Sequence, residues 1–173
     1  CTLVGGPTPE GPQMAAGFTV NGSAPADVLW HKRGAQPDDV IILTKPLGSG
    51  VQLAAMMHGN ALRSPWLAAT LDSLLLSNGP ACDAMGSLPV HACTDITGFG
   101  LLGHLHEICQ QSDVSMTLDT DKIPLLPGTL TLIQEGIAST LSDTNRQILM
   151  HCQAHERVSE ALKTALCDPQ TSG

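Results

Sequence analysis

The apolar positions fall into short runs, and the spacing within each run marks an element. In "MAAGFTVNGSA" (14–24), Phe18 and Val20 share one side and Thr19 and Asn21 the other, which predicts a strand. The continuous β-branched run "VIILTKP" (40–46) predicts a strand buried on both faces and ended by Pro46. A helix is expected over 47–62, "LGSGVQLAAMMHGNAL", opened by small residues. A second is expected over 64–78, where Pro65 suits the first helical turn. "VHAC" (90–93) is a short apolar strand. "LLGHLHEICQQS" (101–112) is an amphipathic helix with Leu101, Leu105, Ile108 and Cys109 on one face and His104, Glu107 and Gln111 on another. "VSMTLDT" (114–120) alternates like a half-buried strand, a short helix ends near Gly136, and Val158, Leu162, Ala165 and Leu166 predict a helix over 155–168. Strands alternate with helices throughout, so the expected fold class is α/β (α+β): a mixed β-sheet covered by helices, in a single domain over 1–173.

Composition narrows the possibilities. Apolar residues make up 42% of the 173 and aromatics 2%, so the core must be aliphatic. The net charge is −8, from 8 basic and 16 acidic side chains. The densest basic pair is Lys32 with Arg33, which argues against a nucleic-acid partner. No apolar run approaches the roughly 18 to 20 residues that cross a bilayer, so no membrane partner is expected. Six cysteines without a C-x-x-C pair are expected to be free thiols in a cytoplasmic protein. The chain opens on Cys1 and stops within the turn-like "DPQTSG", and is expected to be a segment of a longer protein.

The candidate chemistry centres on "HACTDITGFGLLGH" (91–104), which sets Asp95 between a strand and a glycine-rich helix start. Ligands often bind in the crevice at strand ends of such sheets. Gly98 and Gly100 can adopt φ > 0 and admit a ligand close to the backbone. The helix N-terminus beyond them favours phosphate. An anionic Asp does not itself bind phosphate, but it suits a hard cation such as Mg²⁺ that bridges to phosphate oxygens. The same pattern also describes a turn or helix-capping Asp, and on pattern alone the cap is the commoner outcome.

Several strings, in this order, narrow the choice: "LVGGPT", "GFTVNGSA", "GAQPDDVIILTKPLGSG", "ACTDITGFGLLGHLHEI", "IPLLPGTLTL" and "DPQTSG". Together they resemble selenophosphate synthetase, a family within the ATP-binding superfamily that includes aminoimidazole ribonucleotide synthetase. The resemblance covers nearly all of the chain and corresponds to the C-terminal domain alone. It implies a mixed α/β unit whose partner is an N-terminal catalytic domain absent from this chain. It implies a homodimer that converts ATP, selenide and water to selenophosphate, AMP and phosphate, with ATP as substrate and Mg²⁺ as cofactor. Asp95 matches the family's Mg²⁺-binding aspartate of this half. Gly5, Gly6 and Pro7 match the loop that contacts ATP across the dimer. Pro7 stands where the family usually has His, so any contact needing a backbone N–H or a donor side chain there is lost. No catalytic residue of the family falls within these 173 positions, and the chain alone is expected to be inactive. Two alternatives stay open: another ATP-dependent enzyme of the superfamily, or a non-catalytic nucleotide-binding or regulatory homologue.

The remaining polar residues invite simpler readings. His104 and His106, two apart on a helix, point to different sides and cannot share an ion. His104 with Glu107 is expected on a solvated face, and Lys45 as a solvated lysine in a turn. His151 and His155 lack further ligands at a spacing that marks a zinc site. Asp168 in "DPQTSG" is expected to cap or stabilise a turn, and the Thr171, Ser172 and Gly173 run after it to serve structure rather than chemistry.

Overall fold

The computed structural model describes residues 2, 17–58, 64–153 and 155–173. Among them are seven α-helices: α1 (Ser49–Met57), α2 (Ser64–Leu75), α3 (Gly79–Met85), α4 (Gly100–Ser112), α5 (Thr129–Gln134), α6 (Ser142–Asn145) and α7 (Glu160–Cys167). The expected helices over 47–62, 64–78 and 101–112 thus correspond to α1, α2 and α4. The last helix is shorter than its periodicity predicts. The Ser159 hydroxyl accepts the Leu162 N–H at 3.3 Å and caps α7 there, while His155–Arg157 form a 3-10 turn before it.

Gly48 shows how α1 is seated. Its φ is +118°, and a Cβ there would lie 2.1 Å from Thr129 Oγ1, so only glycine both turns the chain and lets α1 meet α5. Val51, Ala54 and Ala55 then pack with Leu132 and Ile137. A second cluster joins Leu47, Ile96, Leu101, Leu105, Ile108 and Leu166. Helix α7 touches both α4 and α5 and so ties the clusters together. Burying each such leucine or isoleucine stabilises the fold by about 1.5–3 kcal/mol.

The C-terminal "DPQTSG" is internal scaffolding. Gln170 Oε1 accepts hydrogen bonds from Gly48 N (2.9 Å), Ser49 N (3.1 Å) and Ser49 Oγ (3.0 Å), and its Nε2 donates to Asp168 O (2.8 Å) and Oδ2 (2.9 Å). Asp168 Oδ2 also accepts the Val51 N–H at 3.2 Å, satisfying an amide in the first turn of α1. Asp168 is fully buried, and that burial pushes its carboxyl up to about 7, against the pull of the Val51, Gln170 and Gly50 donors. Asp168 thus serves the scaffold, but by holding the first turn of α1, 117 residues away, rather than by stabilising a turn of its own.

The expected mixed β-sheet is not formed among the described residues. One isolated parallel bridge pairs Leu47 with Leu125, and no longer ladder follows. A β-branched run reports a preference for extended backbone, but a strand also needs a neighbour to pair with and a surface to bury against. The "VIILTKP" run lacks that surface: Val40 is 83% and Ile42 65% exposed, opposite to the two-sided burial its composition predicts. Residues 17–24 likewise have no regular structure, with Phe18 and Val20 exposed, and residues 14–16 of that expected strand lie outside the described residues. Segments 90–93 and 114–119 contain no strand. Lys45 also departs from expectation. It is buried, and its ammonium donates to the carbonyls of Leu76 (2.7 Å) and Ser172 (2.6 Å).

Candidate functional site

The Asp95 turn lies where two segments and one helix meet. Segment 28–35 runs beside segment 91–95: Cys93 N donates to His31 O at 2.9 Å, and a Cβ on Gly34 would lie 2.5 Å from His91 O. Both segments are fastened to neighbours. Gly34 N and Ala35 N donate to Ser112 Oγ at the end of α4 (3.0 and 3.1 Å), and Asp39 Oδ1 meets His91 Nδ1 at 2.7 Å. Between them opens a cavity of about 800 Å³ lined by Trp30, His31, Lys32, Arg33, Cys93 and Asp95, among others. An anionic carboxylate thus shares one shallow opening with two basic side chains and an indole.

Asp95 does not cap α4. Residue Phe99 occupies the N-cap position, with no side-chain cap hydrogen bond. The Asp95 carboxylate is exposed, and Oδ2 accepts a long contact from Thr97 Oγ1 at 3.4 Å. Of the two glycines beyond it, Gly100 takes the positive φ open to both and Gly98 does not. Gly98 has open space around its Cβ position. Gly100 has φ +69°, but what comes close is the chain's own backbone: a Cβ there would lie 2.7 Å from Cys167 C. Its conformational freedom serves the packing of α4 on the end of α7. Asn145 Nδ2 braces the same corner by donating to Gly98 O (2.8 Å) and Cys167 O (3.0 Å).

His104 is buried rather than solvated. Its Nε2 accepts the Thr97 N–H at 3.1 Å. Its Nδ1 faces Glu107 Oε2 at 3.3 Å, off the line of a hydrogen bond, so Glu107 acts on it as a nearby charge. Glu107 is held by Lys32 Nζ at 2.6 Å, and that hydrogen bond is the main reason its carboxyl lies below the usual range. Lys32 and Glu107 are 75 residues apart in sequence, which is why periodicity alone leaves this link unseen.

The other candidates separate. His106 stacks on His151 with ring centroids 4.6 Å apart. No group of three or more His, Cys, Asp or Glu that can hold a metal occurs among the described residues, so the His151/His155 pair gains no further ligands. The described cysteines (82, 93, 109, 152 and 167) are all free thiols, and burial pushes Cys167 up to about 11. Gly5, Gly6 and Pro7 lie outside the described residues.

For a divalent cation the donor set fits in part. Asp95 offers an accessible hard oxygen beside open space. One carboxylate does not hold Mg²⁺ alone, but Mg²⁺ is commonly bound by one or two carboxylates together with phosphate oxygens and water. The described residues fit Mg²⁺ as the contributor of one ligand to a shared site.

The chain resembles proteins named selenide, water dikinase. It is 34% identical over 171 residues to that of Caldanaerobacter subterraneus subsp. tengcongensis, covering 99% of this chain and 49% of the relative. It is 36% identical over 172 residues to that of Pelobacter propionicus, covering 99% and 49%, and 36% identical over 174 residues to that of Trichlorobacter lovleyi, covering 100% and 50%. The chain spans about half the length of the curated relatives it matches. Residues 36–165, which contain both the Asp95 turn and the helices around it, match the family described as AIR synthase related protein, C-terminal domain, and the chain belongs to that family.

Proposed function

We propose that this chain is the C-terminal half of a selenide, water dikinase. The whole protein would convert ATP, selenide and water to selenophosphate, AMP and phosphate in the cytoplasm, as a homodimer. In this reading Asp95 supplies one ligand to a Mg²⁺ ion. Such an ion would neutralise charge on the ATP phosphates, with the remaining carboxylates supplied by the other half of the protein. Gly5, Gly6 and Pro7 belong to a loop that contacts ATP. The observation that carries the reading is the match, along the whole chain, to relatives that bear this enzyme's name. The exposed, uncapping Asp95 beside Lys32 and Arg33 supports it.

The exposed apolar segments support the second half of the proposal. Phe18, Val20, Val40 and Ile42 present aliphatic and aromatic surface to solvent. In the complete protein the run 40–44, which forms no strand here, would pair with and be covered by the rest of the protein.

The test is direct. The complete protein, given ATP, Mg²⁺ and selenide, is expected to release AMP only when selenide is present, and the 173-residue chain alone is expected to release none above a blank. Selenide-independent AMP release by the whole protein, or full turnover by this chain alone, overturns the assignment.

A further inference from the structure

A cation ligand placed on a turn is useful only if the turn holds still, and the Asp95 turn is held at several points: Thr94 Oγ1 donates to Asp95 O (3.0 Å), Gly100 N and Gln170 N donate to Thr97 O (3.1 and 2.9 Å), and Asn145 Nδ2 donates to Gly98 O (2.8 Å). The Asp95 side chain has one long contact, Thr97 Oγ1 at 3.4 Å. Gly98 beyond it is exposed, with open space about its Cβ position. Helix α4 adds a side-chain attachment at Thr97 itself. The His104 ring is buried, and Nε2 meets both Thr97 N (3.1 Å) and Thr97 Oγ1 (3.3 Å). To accept the amide proton, Nε2 must be unprotonated, so the ring proton sits on Nδ1 and faces Glu107. Glu107 is fixed in turn by Lys32, which lies in the wall of the Asp95 cavity. The series Lys32–Glu107–His104–Thr97 therefore runs from one wall of the cavity through α4 and back to the turn.

We infer that His104 is a positioning residue: by accepting the Thr97 N–H it fixes the turn on which Asp95 presents its carboxylate to a divalent cation. His104 touches no substrate and acts through Thr97. The inference rests on the reading of Asp95 as a Mg²⁺ ligand. Partners that orient metal ligands in this way typically change metal affinity by about 10- to 100-fold when removed. A residue that only fills the core has no such specific effect.

The experiment compares His104→Gln with His104→Asn in the complete protein. The Gln amide oxygen reaches the place of Nε2 and keeps the bond to Thr97, whereas Asn is one methylene shorter and loses it. Mn²⁺ or Mg²⁺ binding without nucleotide turnover is followed by calorimetry, and exchange of the Thr97 amide by NMR. His104→Asn is expected to weaken metal binding about tenfold and to speed Thr97 exchange by a similar factor, with His104→Gln close to wild type in both. Equal behaviour of the two variants overturns the positioning role. If His104→Asn does not fold, the wild-type protein still decides the matter, because an N–H···N bond gives a nitrogen–nitrogen coupling between Thr97 and His104, and its absence overturns the inference. Asp95→Asn separates the two claims. Weakened metal binding in Asp95→Asn with none in His104→Asn removes His104 alone, whereas unchanged binding in Asp95→Asn removes the cation site and the positioning role with it.

Discussion

Exchanging Gln170 for a glutamate alters one atom of the side chain, and the structure predicts a large, pH-dependent cost. The Oε1 atom, which accepts from Gly48 N, Ser49 N and Ser49 Oγ, has an equivalent in the new side chain. The Nε2 donor does not. It is replaced by an oxygen facing Asp168 O at 2.8 Å and Asp168 Oδ2 at 2.9 Å, in a site where Asp168 is fully buried. Two donated bonds are lost and two acceptors are left facing a third, at about 1–3 kcal/mol each, which gives roughly 4 kcal/mol when both carboxyls are ionised. The sign with pH follows from Asp168, whose carboxyl is raised from 3.8 to about 7 in the fold. A raised carboxyl favours the folded state below the unfolded value, and that advantage is lost as pH rises through the folded value near 7. In Gln170→Glu the introduced carboxyl is subject to the same rule, and at low pH a proton on either carboxyl restores a donor between the two side chains. Thermal unfolding at about pH 5 and about pH 8 should show a drop of about 10 °C at the higher pH, at roughly 2–4 °C per kcal/mol, and a much smaller one at the lower. A loss below about 1 kcal/mol at both pH values, or a larger loss at the lower pH than at the higher, refutes this account of the Asp168–Gln170 pair.

Other substitutions probe separate parts of the fold. Gly100→Ala places a Cβ 2.7 Å from Cys167 C at φ +69° and should destabilise by about 2–3 kcal/mol in denaturant unfolding, whereas Gly98→Ala, with open space at its Cβ, should stay within about 0.5 kcal/mol. Lys45→Met strips the Leu76 and Ser172 carbonyls of their ammonium donor and should cost about 2–4 kcal/mol in the same measurement. The 173-residue chain alone should self-associate in light scattering at high concentration, and Val40→Lys combined with Ile42→Lys should reduce that association.

What the sequence reveals depends on how local each feature is. The apolar stripe of α4 is legible because Leu101, Leu105 and Ile108 recur at helical spacing and all are buried. The strand expected at 40–46 is not realised among the described residues, because β-branched composition does not supply a pairing neighbour, and Val40 and Ile42 face solvent. The start of α7 is misplaced by periodicity alone, although the Ser159 cap is a readable signal. His104 looks like part of a polar face because its burial depends on Ile96 and the Thr97 turn folding back over α4, and on Lys32 arriving from 75 residues away to hold Glu107. Lys45 looks solvated for the same reason: its acceptors at Leu76 and Ser172 are 31 and 127 residues distant. The turn bearing Asp95 is legible as a string, yet only the geometry separates it from a helix cap, since Phe99 rather than Asp95 stands at the N-terminus of α4.

The most direct measurement is a Mg²⁺ titration of selenide-dependent AMP formation by the complete protein carrying Asp95→Asn. The amide keeps the shape of the side chain and one acceptor oxygen but removes the charge that a hard cation favours. With Asp95 exposed and not capping α4, the unfolding midpoint should match wild type, while the Mg²⁺ concentration for half-maximal activity should rise at least about tenfold. A folded variant whose Mg²⁺ curve superimposes on that of the unaltered protein contradicts the account.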